Sequence, residues 1–220
     1  MNAASVSSLL HEGSVISTRI GQNSIWYRNV VYSTQDNMIQ LGLTVDYLEN
    51  LIMPGSKIIL KHTCEYFEYI FEGIVSNIQT AMPANITVHI NKAEEIINTR
   101  IFPRYDTYFA SDMKPVWDDK TYFSIITNIS LGGVAFASKH VYDYGEECDV
   151  CIYMPNSPKI CCRGKVIRKS DKGEYIDYSM QFVDMDEENS NRVSEYLDMQ
   201  GEIVEKMKAD FFENVKKHLK

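Results

Sequence analysis

The sequence is short of the features that mark several large functional classes. No stretch is apolar for the roughly 18 residues a membrane-crossing helix requires, and residues 1–10 carry no basic start of the kind that opens a secretion signal. Basic residues are scarce: 22 Lys and Arg stand against 30 Asp and Glu, a net charge of −8. Proteins that coat DNA or RNA displace counterions with a basic surface, so this balance argues against a nucleic-acid partner. It still allows a small anionic ligand held by a local cluster of arginines. The five histidines show neither HExxH nor any paired spacing, and neither a nucleophile elbow nor a phosphate-cradling glycine loop is present. With no catalytic constellation, the reading is a non-enzyme that is cytosolic and not a membrane protein. Internal repeats and low-complexity tracts are also lacking.

Cysteine is limited to five residues, an odd number that fits reduced thiols better than a disulfide framework. Cys148 and Cys151 form a CxxC, and Cys161 with Cys162 follow at a distance a zinc site could use. Both pairs fall in runs patterned as strands, where neighbours and residues three apart point to opposite faces. Four ligands would converge poorly, so the expectation is buried thiols and no metal.

What is present points to a mainly β protein. Its 220 residues leave room for two domains, and 14 Tyr with 9 Phe favour strands. Short apolar or alternating runs occupy 15–20, 25–32, 38–43, 57–61, 66–75 and 86–90, separated by turn residues, which reads as an antiparallel barrel or sandwich. A polar, acidic stretch at 92–99 follows. A second series of strands is expected at 107–110, 122–127, 134–137, 149–154, 160–168 and 175–182. Beyond Asp184, Val193, Tyr196, Leu197, Val204, Met207, Phe211 and Val215 recur at helical spacing, so the chain should close with one long or two shorter helices, a break falling near Gly201.

Two short segments carry the functional signal. Residues 100–104 read R-I-F-P-R, and 128–133 read N-I-S-L-G-G. An arginine fork meets the O6 and N7 of guanine, or a phosphate, with two parallel charged hydrogen bonds. Pro103 prevents a continuous helix, so the arginine segment is expected to be extended. If so, Arg100 and Arg104 lie about 13 Å apart on one side, and a bend at Pro103 can bring both onto one compact ligand. Asn128 and Ser130 are alternate residues and face the same way on a strand.

RxxxR followed by [D/N]xSxxG resembles the PilZ family of cyclic di-GMP receptors, in its two-domain flagellar-brake type. R-G-K-V-I-R at 163–168 and S-M-Q-F at 179–182 are similar to that family's closing strands. The resemblance implies two antiparallel β-barrel domains: an N-terminal split-barrel-like domain at 1–95 and a C-terminal six-stranded PilZ barrel with a terminal α-helix at 96–220, joined at about 92–104. It also implies a ligand, cyclic di-GMP, with no other cofactor. Arg100 and Arg104 would hold guanine and phosphate, and Asn128 a guanine edge. Ser130 would meet a phosphate or ring oxygen, Gly133 would allow close backbone approach, and Arg168 would stack on a base. Asn at 128, where many members have Asp, offers one acceptor in place of a carboxylate, which implies reduced affinity. The family further implies output through a protein effector such as a flagellar motor component. Two rival readings are a PilZ-like adaptor that does not bind nucleotide, and a flavin enzyme, since small barrels like the first also bind flavin.

Overall fold

A computed structural model describes residues 6–21, 25–155 and 157–219. The chain divides into two compact units, Met1–Thr99 with Glu202–Lys220, and Arg100–Gly201.

The first unit is a closed antiparallel barrel of six strands: β1 (Val15–Ile20), β2 (Tyr27–Gln35), β3 (Met38–Gly42), β4 (Lys57–Thr63), β5 (Phe67–Gln79) and β6 (Asn85–Ile97), ordered β1-β2-β3-β6-β5-β4. Alternation builds it. Ile16, Ile58, Leu60, Phe71, Val75, Ile86 and Val88 point inward and are buried, while their neighbours face out. The stretch 92–97, polar in sequence, is not a linker but the end of β6, paired with residues 67–72 of β5. Two short helices that the sequence pattern did not reveal complete the unit, α1 (Val6–Leu9) and α2 (Val45–Glu49).

Helix α2 is fixed from below by Tyr47, fully buried, whose hydroxyl donates to Thr18 Oγ1 at 2.8 Å. Burial pushes that phenol up to about 12, so it stays a neutral donor. The helix ends in a Schellman turn: Ile52 N–H reaches back to Tyr47 O at 3.0 Å, and the position that usually holds glycine is Leu51, at φ +51°. Left-handed backbone costs a non-glycine residue about 1–2 kcal/mol.

The second unit is also a closed six-stranded antiparallel barrel: β7 (Tyr105–Pro115), β8 (Tyr122–Ser130), β9 (Gly133–Ser138), β10 (Glu147–Tyr153), β11 (Ile160–Asp171) and β12 (Ile176–Asp184), ordered β10-β11-β12-β9-β8-β7. Its core packs Phe136 on Tyr178 at 4.9 Å between ring centroids, with Met113, Ile126, Val150 and Val166 around them. The Tyr178 hydroxyl donates to His140 O and accepts from Tyr142 N–H, so the buried phenol is satisfied at both ends.

The closing helix α3 (Glu187–Asp210) is continuous through Gly201. Asp186 caps it by accepting from Asn189 N–H at 2.7 Å, and Glu187 and Glu188 occupy the first turn. Val193 and Leu197 enter the second unit's core. Sequence reasoning placed the whole helix with the second domain, whereas residues from Glu202 onward count with the first unit. The reason is aromatic packing. Phe211, in the π-helical turn Phe211–Val215 that follows α3, is buried and stacks on Tyr32 at 5.5 Å.

The cysteine expectation needs correction. The register sets Cys151 of β10 directly opposite Cys161 of β11, Cα atoms 4.2 Å apart, and the two form a disulfide. Spacing within one strand sent these residues to different faces, but the partner lies across the ladder. Cys148 and Cys162 are the buried thiols, and burial pushes both up to about 12. Cys64 is exposed.

Candidate functional site

The two motifs meet at the start of the second unit. Arg100, Ile101, Phe102, Pro103 and Arg104 are exposed and precede β7 without regular structure, as Pro103 dictates. The next residue, Tyr105, is opposite Ile129, and Asp106 is opposite Asn128, so the arginine segment runs onto the barrel beside the end of β8. Its Phe102 ring lies against the β8–β9 turn: a Cβ on Gly132 would sit 3.2 Å from it.

That turn is tightly drawn. Ser130 is buried, and its hydroxyl donates to Gly133 O at 3.1 Å. Gly133 begins β9 against both Ser130 and Gln181, and a Cβ there would fall 2.1 Å from Met180 O. Only glycine lets β9 and β12 approach so closely. Phe182 N–H, donating to Gly132 O at 3.1 Å, closes the turn onto β12.

The register then lines up the other candidates. Asn128 is opposite Ala135, Ala135 opposite Ser179, and Ser179 opposite Arg168, a row across β8, β9, β12 and β11. At about 4.8 Å per strand the row spans about 14 Å. Asn128 is half-buried and Arg168 exposed. Two bulges set this alignment, one between Ile126 and Asn128 and one between Val166 and Arg168. The second places Ile167 and Arg168 in succession on the outside.

A parallel row runs Ser130, Gly133, Gln181, Lys165. Gln181 and Lys165 are exposed and add an amide and a cation to the same surface. Their place in this row is not legible in the sequence, because strand register is not written in either strand alone. Arg163, of the same R-G-K-V-I-R stretch, is engaged elsewhere, its Nε donating to Asp149 Oδ1 at 2.8 Å.

Chemically, the row carries the Asn128 amide at one end and the Arg168 guanidinium at the other, with small residues between them. Ala135 and Ser179 leave a flat strip on which planar rings can lie. Side chains with fork geometry and amide edges are those that read purines and phosphates. No helix of the described residues is long and apolar enough to cross a membrane.

Residues 98–199 match the model of the PilZ domain. This part of the chain is a PilZ domain. The match begins two residues before the second unit and ends two before its close. No curated protein matches the sequence. Among solved structures the chain is similar to the Bacillus subtilis inhibitor of motility MotI/DgrA, at 14% identity over 87% of this chain and 98% of that one, TM-score 0.44. It is also similar to Escherichia coli YcgR in complex with c-di-GMP, at 14% identity over 91% and 90%, TM-score 0.46. A third likeness is the MrkH–c-di-GMP complex of K. pneumonia, at 14% identity over 88% and 90%, TM-score 0.46.

Proposed function

We propose that the protein is a non-catalytic, cytosolic receptor for cyclic di-GMP, held by its PilZ domain through Arg100, Arg104, Asn128, Ser130, Gly133 and Arg168. The observation that supports this reading best is the row Asn128, Ala135, Ser179, Arg168, with the arginine segment lying over the turn beside it. Arg100 and Arg104 grip guanine and phosphate, Asn128 meets a guanine edge, and the Arg168 guanidinium stacks on a base across the strip of small residues. Gly133 keeps the floor of the site free of side chain. Ser130 reaches a phosphate or ring oxygen by turning its hydroxyl away from the Gly133 carbonyl, so its contribution is an exchange of one hydrogen bond for a charged one.

The arginines stand at the boundary between the two units, at Arg100. Ordering that segment on a nucleotide seated on the barrel biases the arrangement of the units by the difference in affinity for each arrangement. The output passes to a protein partner such as a flagellar motor component, the effector that the likeness of RxxxR and NxSxxG to the two-domain flagellar-brake type implies.

Titration calorimetry with cyclic di-GMP tests the reading. Wild type binds at micromolar ligand or tighter, and Arg100→Ala and Arg104→Ala each lose about 1.5–3 kcal/mol, more than tenfold in affinity. Absence of heat at micromolar ligand with wild type, while a pulled-down partner is retained regardless of nucleotide, replaces the receptor with the adaptor.

A further inference from the structure

Residues 45–53, on the first unit, present an apolar surface that folding does not require. Tyr47 and Ile52 point into the barrel, while Val45, Leu48, Leu51 and Met53 point out at 68%, 57%, 75% and 60% exposure. Four large apolar side chains within nine residues are each more than half exposed and lie outside the core cluster of the barrel. Leu51 is the most telling of them. It occupies the left-handed position of the Schellman turn, where glycine or asparagine would be less strained, and it exposes its side chain there.

Charge within the segment itself has one sign. No Lys or Arg occurs between Arg28 and Lys57, while Asp46 and Glu49 alternate with the outward apolar residues. That acidity decides among occupants. An anionic lipid surface would be repelled, and a second copy meeting face to face would oppose Asp46 and Glu49 with their own equivalents.

We propose that this face of α2 and its closing turn docks an amphipathic, basic segment of a partner protein: leucine-like anchors seated on Val45, Leu48, Leu51 and Met53, flanked by Lys or Arg paired with Asp46 and Glu49. The surface belongs to the first unit alone, so the proposal stands or falls separately from nucleotide binding.

Fluorescence anisotropy on the full chain tests it with three labelled 18-residue helical peptides of one spacing: leucine–lysine, leucine–glutamate and serine–lysine. Wild type binds the leucine–lysine peptide at least tenfold more tightly than either other. Leu48→Asp and Leu51→Asn, both at exposed positions that leave the core intact, each reduce that binding at least tenfold. Asp46→Lys with Glu49→Lys moves the preference to the leucine–glutamate peptide, whereas the charge-matched pair Glu94→Lys with Glu95→Lys, on exposed residues of β6, changes binding less than twofold. The proposal is overturned by equal binding of the serine–lysine peptide, or by an equal effect of the control pair. Co-sedimentation of wild type with anionic vesicles that Leu48→Asp abolishes overturns it too, as does a dimer in sedimentation analysis that Leu48→Asp dissociates.

Discussion

Replacing Gly133 by alanine probes the tightest point of the site. The added Cβ would lie 2.1 Å from Met180 O and 3.1 Å from Gln181 Cα, both backbone atoms of β12. Backbone cannot rotate aside as a side chain can, so β9 and β12 must separate by about 1.3 Å or more to restore ordinary contact. Overpacking of this kind costs about 1–3 kcal/mol, and weakening the two ladder bonds that flank Gly133 costs about 1 kcal/mol more. A total of about 3 kcal/mol lowers the melting temperature of a domain of this size by about 12–24 °C. Gly132→Ala is the internal control, because its Cβ would sit 3.2 Å from the Phe102 ring, an exposed side chain able to yield. Scanning calorimetry should show Gly133→Ala melting far below wild type and Gly132→Ala close to it. If both variants melt within about 3 °C of wild type, the close approach of β9 to β12 is not what the glycine serves.

Asn128→Asp supplies a carboxylate where the amide has one acceptor, and should tighten cyclic di-GMP binding by about 1 kcal/mol, roughly fivefold by calorimetry; weaker binding would remove Asn128 from the guanine edge. His62 is held below its ordinary 6.5, first by burial and then by His11 and Lys208, against a backbone hydrogen bond with Val15 that favours its proton. The unfolded chain therefore takes up the proton first, and the stability of the first unit falls as pH drops below 6.5, levelling off once the folded histidine also protonates. Urea midpoints at pH 7.5 and 5.5 should converge in His62→Gln, and an unchanged difference would contradict this. The Cys151–Cys161 bond closes a short loop, 10 residues apart in sequence. Reduction should cost about 2–3 kcal/mol in urea unfolding, with no further effect of reductant on Cys151→Ser with Cys161→Ser.

Every strand of both barrels was legible, because a half-buried strand writes its alternation into the sequence, as Phe67, Tyr69, Phe71 and Gly73 do against Glu68, Ile70 and Glu72. The end of β6 was not, since Lys92, Glu94, Glu95, Ile96 and Ile97 are exposed on both faces and leave no period to read. Helix α2, five residues long, is too short to show one. Within the site, the motif residues could be named from sequence, but their alignment could not. Two bulges shift the register by a residue each, and the row from Asn128 to Arg168 exists only after both. The disulfide escaped because its partners are neighbours across strands and not within one.

The central claim is that the arginine segment and the Asn128 to Arg168 row are one nucleotide site. A crystal structure of the chain grown with cyclic di-GMP tests it directly. The account predicts the ligand lying along that row, with Arg100 and Arg104 on guanine and phosphate and the Arg168 guanidinium flat against a base. Nucleotide bound on another face of the barrel, or no nucleotide density beside Ser130 at saturating ligand, would contradict it.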